Sequence, residues 1–273
     1  MAIAMEAPGP KMGKDEASEY EIRDRAAWIR MDCPENRNAL STKLLGELSQ
    51  HLQTAMDDPG VRVIVLTGSA GVFCAGADLK NRGSGIADGA GDNAFVEILK
   101  RMREGPKPVI CAVNGHAFGG GIGLIAAADI AISVYGANFA FSEVRLGVIP
   151  AIISVVVLPK LGEHQAMRLF LTGERFSATD ALGYGLLHRV VEEHELESAV
   201  QAEIDAIAKG APSAVAAAKR LVREIPQLAP DDAYASAAEK IAELFASPEA
   251  AEGMAAFAQK RPPSWVETSD DET

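Results

Sequence analysis

The sequence predicts an α/β core followed by a helical C-terminal part. Two observations carry this. Up to about residue 150, short β-branched runs alternate with stretches of helical periodicity, the pattern of a sheet covered by helices. From about Leu161 the chain reads as one helix after another, with few strand signals. Hydrophobic residues make up 48% of the 273 positions, enough for a sizeable core.

Taken in order, residues 18–32 alternate loosely. Ile22, Ala26 and Trp28 share one parity and Ala27, Ile29 and Met31 the other, which predicts one or two early strands. Ser41 is a good N-cap, and Leu44, Leu45, Leu48 and Leu52 follow at helical spacing, so a helix is expected through about Met56. VRVIVLTG, ending at Gly68, predicts a buried strand. Residues 81–92 (NRGSGIADGAGD) are glycine-rich and polar and predict a mobile loop over a site. A helix is expected over roughly Ala94–Arg103, and KPVICAVNG is a second buried strand, ending at Gly115. GHAFGGGIGLIAAADI then opens on glycines and continues as an apolar helix, before a short strand DIAISV and an extended segment around FAFSE. The later helices are GEHQAMRLFLTG, SATDALGYGL, EHELESAVQAEIDAIAKG, SAVAAAKRLVREI, PDDAYASAAEKIAELFA and SPEAAEGMAAFAQK, the last stopped by Pro262 and Pro263. The expected division is a disordered lead-in over 1–17, a core over 18–205, a helical region over 206–265 and an acidic tail over 266–273.

Several function classes lose support at this level. The net charge is −12, so bulk electrostatics do not favour nucleic acid as a partner. Cys33, Cys74 and Cys111 are scattered, without zinc spacing, and no HExxH pattern occurs. No metal site is expected, and reduced thiols point to a cytoplasmic protein. There is no basic segment followed by an apolar one at the start, and no uninterrupted apolar run of about 20 residues. No membrane partner is expected.

One theme occurs twice. VIVLTGSAGVFCAGADLK and VICAVNGHAFGGGIGL each run from a strand through a glycine-containing turn to exposed backbone N–H groups. Glycine lets backbone approach a ligand, and a helix N-terminus offers orphan donors. Two such N–H groups converging on one point would form an oxyanion hole. Two other readings compete. A dinucleotide loop G-x-G-x-x-G starting at Gly119 needs glycine at 124, where Leu124 stands; starting at Gly121, only the looser form ending at Ala126 fits. The glycines could also serve only close helix packing.

These two segments, with CPENRNALS, FSEVRLGVIP, LTGERFSATDALGYGLLHRVV and EGMAAFAQKRPPSW, run in order from about residue 18 to 265. Together they resemble the crotonase, or enoyl-CoA hydratase/isomerase, superfamily. The resemblance implies an α/β fold: a spiral of ββα turns with a helical C-terminal trimerisation region, assembled as a homotrimer or a dimer of trimers. It implies an acyl-CoA thioester as substrate, and no cofactor. The thioester carbonyl would sit between the N–H groups of Ala77 and Gly120. Arg37, Ala39, Ala75, Asp78, Leu79 and Lys80 would border CoA, Asp78 by holding its loop, and Lys260 would reach the nucleotide, of a neighbouring subunit.

Hydratases of this family typically use two glutamates. Glu143 matches the second and would act as acid and base. The first would stand at Gly123, and it is absent. Three readings follow. GGGIGLIAAADI with SEVRLGVIPAIIS resembles hydratases of branched or carboxylated enoyl-CoAs, of the methylglutaconyl and carboxygeranoyl type; the missing side chain at 123 would leave room for such an acyl group. A Δ3,Δ2-enoyl-CoA isomerase needs only one glutamate. Another reaction of the family, or an acyl-CoA-binding member with little catalysis, is the third. Ala151, Ile152 and Ile153 stand where many members are glycine-rich, and their bulk would offset the volume lost at Gly123. Arg145 would share a face with Glu143 on an extended strand, where pairing would lower the carboxyl pKa, or it pairs elsewhere. Asp129 reads as structural and His116 as a wall or packing residue.

Overall fold

The structure, a computed structural model, describes residues 16–78 and 90–266. A hairpin opens it: β1 (Ser18–Arg23) and β2 (Ala26–Met31) pair antiparallel across Asp24 and Arg25, both at positive φ. Helix α1 (Thr42–Asp57) follows, and its cap Ser41 accepts from the Leu44 N–H. Next come three strand–strand–helix units. They are β3 (Val63–Gly68), β4 (Val72–Cys74) and α2 (Ala90–Glu104); β5 (Val109–Val113), β6 (His116–Phe118) and α3 (Gly120–Ala127); and β7 (Ile130–Val134), β8 (Asn138–Ala140) and α4 (Ala151–Thr172). The chain continues through β9 (Arg175–Ser177), α5 (Ala178–Gly183) and β10 (Arg189–Val191) to α6 (Leu196–Ala208), α7 (Pro212–Glu224), α8 (Pro230–Phe245) and α9 (Pro248–Gln259).

Each unit adds one strand to each of two sheets, which makes the fold a spiral. The larger sheet runs β1-β2-β3-β5-β7-β10 and is parallel from β2 onward; the smaller runs β4-β6-β8-β9, with only β9 antiparallel. Parallel neighbours need a crossover, and the helices supply it. β5 is buried at every position and β3 at all but Thr67, which is why VIVL and VICAV are continuous apolar runs rather than alternating ones. Leu44, Leu48 and Leu52 of α1 and Ile98 and Met102 of α2 pack into the same core as these strands.

The structure departs from the sequence reading in several places. β8 stops at Ala140, and Glu143 stands on a 3-10 turn, Ser142–Leu146, instead of an extended segment. Gly147 closes that turn at positive φ. α4 already begins at Ala151, so PAIIS is helical; Pro159 and the non-helical Gly162 interrupt α4 and hide its first half from periodicity. β9 and β10 are three residues each, too short to show a period. α2 starts at Ala90, so the expected loop over 81–92 ends earlier, and its residues 81–89 lie outside the described part. Ala17, assigned to the lead-in, is buried, and its carbonyl accepts from the Asp32 N–H. α6 runs across the expected boundary at 205. Among the described residues no helix is long and apolar enough to cross a membrane, and no group of three or more His, Cys, Asp or Glu is placed to hold a metal.

Candidate active site

The two glycine turns meet beyond the C-terminal ends of β3 and β5, the usual place for a site in a parallel sheet. β4 and β6 pair in parallel there, Val72 with His116 and Cys74 with Ala117. The segments just after them then touch. A methyl built on Gly76 would stand 3.5 Å from the Gly120 nitrogen, and one on Gly120 would stand 3.8 Å from Gly76 Cα. Gly120 opens α3, so its N–H has no intrahelical acceptor. Ala77, next to Gly76, pairs as a single parallel bridge with Leu40, while the Leu40 N–H donates to Gly76 O at 2.8 Å. The amides of Ala77 and Gly120 thus lie on adjoining backbone segments.

Glu143 is brought to the same place by β8. Gly119, the N-cap of α3 at φ +47°, donates its N–H to Ala140 O at 3.1 Å. That bond and the β6–β8 pairing fix the start of α3 against the Glu143 turn. A side chain on Gly119 would begin 2.8 Å from Glu143 Oε1, so the absence of one lets the carboxylate lie on the helix start. Glu143 Oε2 is buried without a hydrogen-bond partner among the described residues. Burial raises the Glu143 pKa above the usual carboxylate value, opposed by its own backbone N–H. Arg145 is not its partner: Nε and Nη2 donate to Thr172 O at 3.3 and 3.2 Å. The 3-10 turn, in place of the expected strand, removes the shared face.

Gly123 is one helical turn beyond Gly119, and its N–H donates to Gly119 O. The room expected there for a larger acyl group is taken. A methyl built on Gly123 would stand 2.4 Å from Ile153 Cγ2 and 3.4 Å from Phe95 Cζ. Phe95 also reaches the Gly120 position, at 3.6 Å, and Leu40 Cδ1 lies 2.7 Å from it. Leu40, Phe95 and Ile153, all buried, therefore line the first turn of α3 beside Glu143.

The residues assigned to CoA partly converge. The Ala75 N–H donates to Arg37 O at 3.0 Å, and the Ala39 N–H to Asn36 Oδ1 at 3.1 Å. Arg37 and Ala75 thus share one strip with Ala39, which is buried; Asp78 is buried and the Arg37 side chain exposed. Leu79 and Lys80 lie outside the described residues. Lys260 is exposed at the C-cap of α9, on a different element. The sequence reading missed Asn38. It is buried at positive φ, accepts from the Cys33 N–H at 2.9 Å and donates to Val72 O at 2.8 Å, which ties the Arg37 loop to β4. An asparagine beside a turn is the one available signal, because it tolerates that conformation. His116 Nδ1 accepts from the Asn138 N–H, a packing arrangement. Burial pushes the Cys33 thiol up to about 11 and the Cys74 thiol up to about 12, away from the thiolate a nucleophile needs.

The spiral of strand–strand–helix units with helices at its C-terminal end defines the class: a crotonase fold. The model of the enoyl-CoA hydratase/isomerase family matches residues 21–268, and the chain belongs to that family. A carnitinyl-CoA dehydratase from Proteus mirabilis is 38% identical over 247 residues, 87% of this chain and 93% of the relative. A putative enoyl-CoA hydratase from Thermus thermophilus is 33% identical over 246 residues, 88% and 97% of the two chains. Among solved structures, a putative enoyl-CoA hydratase/isomerase (crotonase) from Legionella pneumophila is similar at TM-score 0.87 and 35% identity, covering 93% of this chain and all of its own.

Proposed function

We propose that this protein adds water to a 2-enoyl-CoA, or removes it in the reverse direction, with Glu143 as its single acid–base carboxylate. The observation that carries this is the Glu143 carboxylate lying on Gly119, one residue from the Gly120 N–H, with Oε2 unbonded among the described residues. The thioester oxygen accepts from the N–H groups of Ala77 and Gly120. Each such donor is typically worth about 10²–10³ in rate. Hydroxyl adds to the carbon remote from the carbonyl, electrons pass to the thioester oxygen, and the enolate then takes a proton at the near carbon. With one carboxylate, Glu143 takes the proton from water and returns it to carbon. The names of the Proteus and Thermus relatives, a dehydratase and a hydratase, support water as the co-reactant.

Arg37, Ala39, Ala75 and Asp78 would border CoA together with Leu79 and Lys80, and Lys260 would reach the nucleotide from a neighbouring subunit. The assembly would be a trimer or a dimer of trimers. Exposed apolar side chains support this: Val155 and Leu171 on α4, Val222 on α7, Tyr234 and Phe245 on α8 and Phe257 on α9 are each at least 61% exposed, apolar surface that association would remove from water. Sedimentation is expected at three or six times the 28.8 kDa chain mass; a monomer would remove the assembly.

A second reading is a Δ3,Δ2-enoyl-CoA isomerase. The hydrocarbon packed on Gly123 favours it, because moving a double bond needs only one base. Incubation with crotonyl-CoA, 3-methylglutaconyl-CoA and a 3-enoyl-CoA, followed by the absorbance of the conjugated thioester, separates the readings. Loss from a 2-enoyl substrate is the expected result. Gain from the 3-enoyl substrate without hydration would select the isomerase. Silence on all three, with binding retained, would leave an acyl-CoA binder.

A further inference from the structure

We infer that Ile153 is a specificity-determining residue: it fills the place of a side chain at 123 and restricts the site to acyl groups unbranched at the reacting carbons. The inference rests on the reading that an acyl-CoA thioester occupies this site.

Gly119, the non-helical N-cap, and Gly123, one turn into α3, are joined by a hydrogen bond, and neither carries a side chain. Glu143 covers the first position and Ile153 the second, with Ile153 Cγ2 2.4 Å and Cβ 3.1 Å from where a methyl on Gly123 would be. Phe95 bridges the Gly123 and Gly120 positions at 3.4 and 3.6 Å. A thioester oxygen held at the Gly120 amide therefore places the carbons beyond it between Glu143 and a hydrocarbon wall of Ile153 and Phe95. That wall cannot swing aside easily. Ile153 is β-branched and so has few rotamers, is 4% exposed, and sits in the first turn of α4. The wall offers no hydrogen bond to a polar substituent, and the place of a side chain at 123 is already filled. Glycine at 123 and isoleucine at 153 are thus a matched pair, each admitting the other.

The test compares the wild type with Ile153→Ala and Ile153→Val on crotonyl-CoA and 3-methylcrotonyl-CoA. Alongside it, calorimetry measures binding of the unreactive butyryl-CoA and 3-methylbutyryl-CoA. One methylene in an apolar pocket is typically worth about 10–200-fold in discrimination. The wild type is expected to prefer the unbranched member of each pair. Ile153→Ala should shift both ratios towards the branched member by at least about tenfold, with Ile153→Val intermediate. Gly123→Ala alone should lower the melting temperature, and Ile153→Ala should relieve that loss in the double variant. Unmoved ratios in a variant that melts like the wild type would overturn the inference and leave the proposed reaction standing. A binding ratio that shifts while no enoyl-CoA turns over would support the inference and overturn the reaction. Absence of binding by the wild type to either saturated thioester would overturn both.

Discussion

Glu143→Gln is expected to lower turnover by at least about 10²-fold, the usual contribution of a positioned acid–base group, while CoA binding is unchanged. The amide keeps the shape of the carboxylate against Gly119 but cannot carry a proton. The pH dependence follows from the environment. Burial raises the Glu143 pKa, and its own backbone N–H only opposes this. A base must be ionised to act, so the acidic limb of kcat/KM should lie above the usual carboxylate range. Stability should move the opposite way to activity. Above the raised pKa the folded state holds a charge that burial disfavours, whereas the unfolded chain holds it in water. Glutamine removes that penalty. The variant should therefore melt at or above the wild-type temperature at neutral pH, and the difference should vanish below the ordinary carboxyl pKa, where both states are protonated. Unchanged turnover would remove Glu143 from the chemistry; a lower melting temperature at neutral pH would mean that its charged form is stabilised.

How much of this is visible in the sequence depends on whether a feature is local. The continuous apolar runs of β3 and β5 and the spacing of Leu44, Leu48 and Leu52 are local, and the strands and α1 stand within a residue or two of where periodicity puts them. Glycines at 119–121 mark a backbone that something approaches, and the chain says so directly. What touches them is not local. Ile153 is thirty positions from Gly123; the sequence suggests that its bulk offsets the missing side chain, but only the packing of α3 on α4 brings it to 2.4 Å from where that side chain would begin. Asn38 sits in a polar run that looks like surface, yet the loop and β4 close over it. Glu143 reads as a strand residue because FAF alternates, and the left-handed Gly147 that coils the turn comes four residues later. Asp129 reads as structural, and it is, but its charged partners Lys219 and Arg223 lie some ninety positions away on α7, where nothing local points to them.

Asp129→Ala is expected to be strongly destabilising for that reason. Asp129 accepts from Lys219 Nζ at 2.8 Å, Arg223 Nη2 at 2.6 Å and the Val109 N–H at 2.8 Å. The Lys219 side chain is 4% exposed, and its ammonium also donates to Met102 O and Lys107 O, each at 2.7 Å. Burial pushes the Lys219 pKa below the usual lysine value, and Asp129 opposes this. Without Asp129 the ammonium keeps two carbonyls but no counter-charge, and the Val109 N–H at the start of β5 loses its acceptor. Removing one partner of a buried pair typically costs about 3–5 kcal/mol, which for a chain of this size lowers the melting temperature by roughly 10 °C. Lys219→Met should lose less, because Asp129 keeps Arg223 and the Val109 N–H while the methionine fills the lysine's channel. The sign of the pH effect separates a charge defect from a packing defect. In Asp129→Ala the folded-state lysine pKa falls further. Between that lowered value and the ordinary lysine value the unfolded chain binds more protons, so stability rises with pH. Partial recovery of the variant on the alkaline side is therefore expected from calorimetry across pH. The position of the triad enlarges the consequence. Lys219 and Arg223 are on α7, which leads into α8 and α9, where Tyr234, Phe245 and Phe257 are exposed. Loss of Asp129 should thus loosen the helices proposed to hold the subunits together, and dissociation should accompany the lowered melting temperature. A variant that melts with the wild type and keeps its assembly would mean that Lys219 is held by the two carbonyls alone.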